Sequence, residues 1–250
     1  MNDSGKIPRR ILLRVMLRAF LLQASWNYEK LQNLGFLFVM APALRWLFRE
    51  DELTRAFARH LEKFNTHPYL AGPILGVSLA LEEKEKRGEE DLVGVEGFKE
   101  MTMAPYGAMG DSFFWGALRP LAAVFSLFFA VRGSLWAPVV FLVGFNLPHL
   151  WCRVVWFWQG YRKGLEMVQV IQRFQLPDLA IRLKEMTVVL LGGISAYLVF
   201  LLTSWEEIPP AWGFLAVPLV CAGVFLVRRG FSPLSLLVSV TLAVFLCVGL

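Results

Sequence analysis

The polar residues best suited to chemistry are concentrated just ahead of an apolar run. They comprise a carboxylate, three amides, a lysine and two aromatic rings: Trp26, Asn27, Tyr28, Glu29, Lys30, Gln32 and Asn33. Carboxylates and amides form paired hydrogen bonds with sugar hydroxyls, and an aromatic face commonly lies beside them. On a helix, Glu29 and Asn33 share one face, so these groups would converge on one small cavity. The alternative is an ordinary interfacial helix end, where Trp, Tyr and polar groups gather at headgroup depth.

Two further charges, Asp111 and Arg119, border or enter a later apolar run. Turn-favouring residues precede the aspartate: Pro105, Gly107 and Gly110. This order predicts that Asp111 is the N-cap of a spanning helix. An arginine inside the membrane costs at least about 2.5–3.5 kcal/mol unless it has a partner or a wet cavity. We therefore expect Arg119 to face inward and to meet a carboxylate or carbonyl of another element or subunit, with Glu29 as one candidate.

The histidines and cysteines show no catalytic or metal-binding spacing. His67 precedes Pro68, where it is either a proton or phosphoryl carrier or a structural residue at a helix start. His60 and His149 offer no stronger pattern. The three cysteines lie in apolar runs without a CxxC pair: Cys152, Cys221 and Cys247. Since GxSxG, GxGxxG and P-loop motifs are also missing from the sequence, we expect no metal, no cofactor and no enzymatic activity of the chain itself.

The composition indicates an all-α integral membrane protein rather than a soluble one. Of 250 residues, 56% are hydrophobic and the mean hydropathy is +0.53, which is more apolar surface than a soluble core would hide. The net charge of +5 comes from bases in short loops between apolar runs, a pattern typical of membrane topology and not of nucleic-acid binding. We expect one membrane domain, with an N-terminal region of an amphipathic helix and broken helices at residues 1–112 and a transmembrane region at residues 113–250.

The N-terminal half is predicted to lie on or partly in the membrane. Arg10, Arg14 and Arg18 form one basic stripe over residues 7–24, which predicts an amphipathic helix in the anionic cytoplasmic interface. The other interpretation is a solvated helix packed on a soluble domain. In residues 7–24 the arginines alternate with the apolar residues instead of preceding them, so we expect no cleavable signal peptide.

Two following apolar runs, residues 34–48 and 70–81, are shorter than the roughly 20 residues that span a bilayer. They contain helix-disrupting residues, which predicts re-entrant or broken helices: Pro42 in the first run, and Gly72, Pro73 and Gly76 in the second. The charged stretch 82–100 predicts a water-exposed loop or short helix.

About five transmembrane helices are expected in the remainder. The loop 159–185 is basic and the loop 206–210 is acidic, so the first is expected inside and the second outside. The N-terminus is then cytoplasmic and the C-terminus external. The five expected transmembrane helices are the apolar runs at residues 113–131, 134–158, 186–205, 211–227 and 231–250.

Four segments resemble the IID component of the mannose/fructose/sorbose family of phosphotransferase permeases. They are FLLQASWNYEKLQNLGF (20–36), FNTHPYLAGPILGVSLALEE (64–83), GDSFFWGALRP (110–120) and GYRKGLE (160–166). The resemblance implies a bacterial inner-membrane subunit that pairs with a IIC subunit in a hetero-oligomer, while soluble IIA and IIB proteins carry the phosphoryl groups. It also implies passage of a mannose-like hexose, with sugar contacts from Asn27, Glu29, Lys30, Gln32 and Asn33.

Two other functions stay open from the sequence. The first is a membrane scaffold or assembly subunit that no longer transports, for which changes at Glu29 and Asn33 would be silent. The second is a membrane-embedded enzyme acting on lipid or a lipid-linked sugar, which would need a convergent acid/base or metal set that the sequence lacks.

Overall fold

The computed structural model describes residues 6–89, 91–205 and 216–248, and its regular elements in these ranges are helices. Apart from two isolated backbone bridges, Asn27 with Leu31 and Leu31 with Phe64, the described residues form no β-structure. The expected all-α class is therefore confirmed. The chain divides into two compact units, Met1–Leu190 and Leu191–Leu250, which are described separately.

The first unit contains eight complete helices among its described residues, and α9 (Leu176–Trp205) crosses the boundary between the units. A 3₁₀ turn at Ala19–Leu21 extends α1, and Gly164 ends α7 with a φ of +57°. The helices are α1 (Arg9–Arg18), α2 (Asn33–Leu47), α3 (Glu50–His60), α4 (Ala71–Lys86), α5 (Val95–Gly110), α6 (Arg119–Ala130), α7 (Trp136–Lys163) and α8 (Met167–Arg173).

The two short apolar runs form the short helices α2 and α4, but neither is interrupted. α2 continues through Pro42, and Pro73 occupies the first turn of α4, where a proline costs little because that turn has no intrahelical acceptor for its missing N–H. The charged stretch 82–100 is divided between the end of α4, a turn and the start of α5.

The glycines of α4 provide close contact with α7. A Cβ at Gly76 would lie 2.2 Å from the carbonyl oxygen of Phe157, and one at Gly72 would lie 2.7 Å from that of Arg153. From the other side, a Cβ at Gly160 would lie 2.7 Å from the carbonyl oxygen of Pro73. Small residues four apart on one helix let two backbones meet, as in membrane helix pairs. These glycines therefore pack the helices together instead of breaking one of them.

The expected helix start at Asp111 is wrong. α5 runs directly into a π-helical segment, Asp111–Leu118, which continues as α6, and the Asp111 side chain makes no cap hydrogen bond. A Cβ at Gly110 would lie 2.3 Å from Cβ and Cγ of His67, so this glycine serves close packing and not a turn. The π-helical segment has i→i+5 hydrogen bonds, so it shifts the side-chain positions of α6 relative to those of α5 while the helix continues.

Two helical stretches of the described chain are long and apolar enough to cross a membrane by length and composition, Val95–Ala130 and Trp136–Leu201. The second stretch includes α7, α8 and most of α9. In the second unit, α10 (Ala216–Arg228) and α11 (Pro233–Val248) are shorter apolar helices that match the predicted runs 211–227 and 231–250. Their side chains are largely exposed, Leu219 at 71% and Leu246 at 82%. The loop 206–210, the Cys247 side chain and the C-terminal residue lie outside the described residues.

Candidate functional site

The segment at residues 26–32 is a compact loop and not a helix. The backbone N–H groups of Asn27 and Leu31 each donate to the other residue's carbonyl at 3.0 Å, and Leu31 has a φ of +62°. The Asn27 Oδ1 accepts the backbone N–H of Lys30 at 2.8 Å, so this side chain replaces helical hydrogen bonding. α2 begins only at Asn33. The expectation that Glu29 and Asn33 share a helix face is therefore wrong.

Two buried amides bind this loop to the segment that follows α3. The Gln32 side chain donates to the Thr66 carbonyl at 2.9 Å and accepts the Thr66 N–H at 3.1 Å. Asn33 donates to the Leu61 carbonyl at 2.7 Å, and its Oδ1 accepts from the Asn27 amide at 2.8 Å. Gln32 and Asn33 are 2% and 5% exposed, so they position the loop through hydrogen bonds that are costly to leave unmade.

Three side chains of the loop point outward. Trp26 is 49% exposed and Tyr28 is 94% exposed, and their rings meet edge to face at 5.4 Å. Glu29 is exposed as well, while Lys30 lies 3.4 Å from the carboxylate of Glu62. An aromatic pair next to a carboxylate can stack on a sugar ring and accept from two of its hydroxyls. The sequence-predicted set thus separates into outward-facing and positioning residues.

His67 is buried and lies beside the exposed Asp111. Its ring stacks on Phe114 at 5.3 Å, and its Nδ1 accepts the backbone N–H of Tyr69 at 3.2 Å. The proton of the neutral ring is therefore assigned to Nε2, which lies 4.0 Å from the Asp111 carboxylate. Burial, assisted by the charge of Arg153, lowers the pKa of His67 to about 4. A ring that stays neutral and packed in this way fits a structural or gating role better than phosphoryl transfer.

Arg153 occupies the middle of this cluster, and sequence reasoning missed it. Its guanidinium lies 4.9 Å from the Tyr69 ring centroid and 5.0 Å from that of Phe20. Tyr69 in turn stacks on His149 at 4.1 Å, and His149 meets the Asn146 side chain at 2.8 Å. Aromatic faces thus stabilise the cation through cation–π contacts, and no carboxylate lies within 4.0 Å of it in the part of the chain that the structure describes. Its position inside the apolar run 134–158 could have identified Arg153, because a charge within a membrane helix is costly, as argued for Arg119.

Arg119 does not face the core of the chain. It begins α6 as an exposed residue, and no ion pair with Glu29 forms among the described residues. If Arg119 needs a partner because a charge in the membrane is costly, that partner belongs to a neighbouring subunit or to lipid rather than to the described part of this chain.

A buried carboxylate pair at the end of α4 connects three further elements. Glu82 accepts two hydrogen bonds from Arg59 and one from His60 at 2.8 Å. Glu83 accepts from the Tyr161 hydroxyl and from the backbone N–H of Ile7 at 3.2 Å. Burial lowers the pKa of His60, against the opposing effect of Glu82, so the ring is a neutral donor. The carboxylates therefore hold α3, α7 and the N-terminus in place, and they are not arranged as an acid/base pair. No group of three potential metal ligands occurs among the described residues.

The chain matches one family model over residues 6–249, that of the phosphotransferase system mannose/fructose/sorbose family IID component. It is 44% identical over 171 residues to the mannose-specific EIID component of Escherichia coli K12, covering 67% of this chain and 60% of that protein. The fructose permease IID component of Bacillus subtilis is 33% identical, with 68% of this chain and 62% of the relative covered. The matched region thus spans less than two-thirds of these relatives.

Two solved structures align with nearly the whole chain. A chain of the mannose transporter ManYZ in complex with microcin E492 gives a TM-score of 0.60 at 32% identity, with 98% of both chains covered. A structure described as a membrane protein gives 0.73 at 32% identity and covers 97% of this chain and 98% of its own.

Proposed function

The chain belongs to the IID component family of the mannose/fructose/sorbose phosphotransferase systems, and from this we propose that it is the IID subunit of a hexose permease. With a IIC subunit it forms the translocation path for a mannose-like sugar, and soluble IIA and IIB proteins supply the phosphoryl group. The chain itself is a non-catalytic translocation subunit. The observation that carries this proposal is the alignment of 98% of the chain with a chain of a mannose transporter.

The sugar is contacted from the loop at residues 26–33. Trp26, Glu29 and the partly exposed Asn27 and Lys30 supply stacking and hydrogen bonds, and Tyr28 extends the same surface. Gln32 and Asn33 act by holding this loop on the segment 61–66. This division agrees with the exposure of each side chain, since a ligand must reach the group that binds it.

The remaining polar residues act in gating and assembly. His67 and Asp111 meet where the loop before α4 packs on the helix through Gly110, so any movement between these elements changes their contact. The exposed Arg119 faces the IIC subunit, where a carboxylate or carbonyl offsets the cost of a charge in the membrane. IIC–IID pairs then assemble into a higher hetero-oligomer.

The chain lies in the bacterial cytoplasmic membrane with its N-terminus inside. Support comes from the exposed basic residues of the segment 159–185, which the structure forms as the end of α7, α8 and the start of α9 and which favours the cytoplasmic side: Arg162, Lys163, Arg173, Arg182 and Lys184. In this orientation the C-terminus is external.

The test is phosphoenolpyruvate-dependent sugar uptake by cells that co-express the chain with IIC and IIAB proteins. We expect Glu29→Gln to lower apparent sugar affinity by roughly 10-fold or more, since a hydrogen bond to a charged group contributes about 1.5–3 kcal/mol. Trp26→Ala should weaken binding similarly through lost stacking. Glu100→Gln is the matched control, because it removes one exposed carboxylate of α5 outside the loop.

Asn33→Ala separates positioning from contact. It removes the bond to the Leu61 carbonyl, so it should lower thermal stability as well as uptake. Normal uptake by both Glu29→Gln and Trp26→Ala, with IIC still co-purifying, would instead refute sugar contact by this loop.

A further inference from the structure

α1 carries apolar side chains on two faces, and the fold covers only one of them. Leu12, Val15 and Met16 are buried against the rest of the first unit. Leu13 and Leu17 are on the other side, 47% and 58% exposed. A surface helix of a soluble protein presents one apolar stripe to its core and polar residues elsewhere. The outer face of α1 therefore has an apolar surface that the described chain leaves uncovered.

On this outer face, cations and leucines form two parallel rows with the same spacing of four residues. The two rows line a shallow groove: Arg10, Arg14 and Arg18 in one, and Leu13, Leu17 and Leu21 in the other. Arg18 is already engaged, because it donates to the Phe38 carbonyl at 3.0 Å and lies 4.4 Å above the Phe38 ring. The other two guanidinium groups remain available to a ligand.

The groove leads to a recess between α1 and the C-terminal end of α7. This recess has a volume of about 480 Å³ and is lined by three arginines, a leucine and a tryptophan: Arg9, Arg10, Arg162, Leu13 and Trp158. None of the three arginines has a carboxylate within 4.0 Å in the residues that the structure describes. Three guanidinium groups around one recess, without an ion-pair partner among the described residues, generate a positive potential that attracts anions.

We propose that this recess binds the phosphate of an anionic phospholipid, whose acyl chains lie along the leucine row of α1. Guanidinium groups bind phosphate oxygens through paired hydrogen bonds. Trp158 covers the glycerol region, where tryptophan is commonly found in membrane proteins. The proposal rests on the membrane function above and deepens it by naming the lipid class and the residues that bind it.

The leucine row favours a lipid over the other anions that could reach the recess. A free phosphate or a phosphorylated sugar would use the arginines but would leave Leu13, Leu17 and Leu21 in water. A phospholipid covers both parts together, because its charged phosphate and its apolar chains belong to one molecule and the recess and the groove share Arg10 and Leu13. Basic recesses beside transmembrane helices on the cytoplasmic side are suited to such headgroups.

The experiment is native mass spectrometry of the full chain, purified in detergent and titrated with phosphatidylglycerol or phosphatidylcholine. We compare the wild type with the triple variant Arg9→Gln, Arg10→Gln and Arg162→Gln. The control triple variant removes the same charge from exposed loop or helix-end positions elsewhere: Arg132→Gln, Arg228→Gln and Arg229→Gln. All six side chains are exposed, so folding should be retained and is checked by thermal unfolding of each protein.

We expect the wild type to retain phosphatidylglycerol in preference to phosphatidylcholine, and the recess variant to lose affinity by up to about 100-fold, since each arginine near an anionic lipid contributes about 1 kcal/mol. The control should lose little. Replacing the three arginines by lysine should restore part of the affinity, because the charge returns without the planar fork.

Several results would overturn the proposal. Equal losses in both triple variants would show general charge attraction and no defined site. Displacement of the lipid by glycerol phosphate at equal concentration would identify a soluble phosphate as the ligand. Unchanged lipid binding, with weaker co-purification of the IIB protein, would make the recess a protein-docking surface. Sugar uptake by the same variants is measured separately, so failure of the lipid site is distinguishable from failure of the transport function.

Discussion

The close approach of α4 and α7 predicts that Gly76→Ala destabilises the protein although alanine favours helices. The added Cβ would lie 2.2 Å from the Phe157 carbonyl oxygen and 2.8 Å from the Tyr161 nitrogen. Both neighbours are backbone atoms of a helix, so neither can rotate away. Restoring an ordinary contact of 3.4 Å to the oxygen requires the helices to separate by about 1.2 Å.

The expected cost follows from two opposing effects. Overpacking a tight interface costs about 1–3 kcal/mol, and backbone contacts place this site at the upper end. Exchange of glycine for alanine returns at most about 1 kcal/mol of helix propensity. The net loss of about 2 kcal/mol corresponds to a fall in Tm of roughly 4–8 °C for a chain of this size.

The assay is thermal unfolding of the purified protein in detergent, with Gly144→Ala as the matched control. Gly144 lies in α7 as well, but its added Cβ would meet only the Ala122 Cβ at 3.7 Å, an ordinary contact. Its Tm should stay constant or rise slightly. If both variants unfold at the same temperature, the helices are not in backbone contact and the packing argument is refuted.

Four further predictions concern charged groups and topology. Arg153→Met should insert normally yet lower uptake several-fold, with partial recovery in Arg153→Lys, because the cation–π contacts with Tyr69 are lost or weakened. Arg119→Leu should keep expression but lose co-purification with IIC, and retention of the partner together with normal uptake would contradict this role. The pKa of His67 is lowered to about 4 from 6.5, so the unfolded chain binds more protons than the folded chain between these pH values. The free energy of unfolding should therefore fall by up to about 3 kcal/mol as pH drops through this window. A thermal stability that does not change with pH would exclude the effect. A cysteine at position 132 should react with an impermeant reagent from outside in a cysteine-free background, whereas one at position 163 should be protected, and the reverse would invert the topology.

The helices were predictable where hydropathy alone decides them. The apolar runs at residues 134–158, 186–205 and 231–250 correspond to α7, α9 and α11, because a long and largely apolar run has few alternatives to a helix. The short runs at residues 34–48 and 70–81 were likewise recognised as helices too short to span. Length and composition suffice for these assignments, and no tertiary contact is needed to explain them.

The roles of glycine were not predictable from the sequence. A glycine inside an apolar helix indicates either a break or a close contact, and only the neighbouring backbone distinguishes the two. The sequence predicts a helix break at Gly72 and Gly76 and a turn at Gly110, and in the structure all three glycines lie against another element. The prediction of a helix at residues 26–32 is wrong for a related reason. The positive φ of Leu31 and the turn at Asn27 depend on the backbone pairing of Leu31 with Phe64, which is distant in sequence.

The two polar regions are joined through one short segment, which suggests how they act together. Thr66, held by both ends of the Gln32 amide, directly precedes His67, whose ring packs against Gly110. Two residues further, Tyr69 lies under the Arg153 guanidinium. The loop that we propose to contact sugar therefore cannot move relative to α5 or α7 without breaking the amide pair or shifting His67 and Tyr69. Because each of these contacts is buried or stacked, we expect the segment to transmit displacement between the loop and the helices instead of absorbing it.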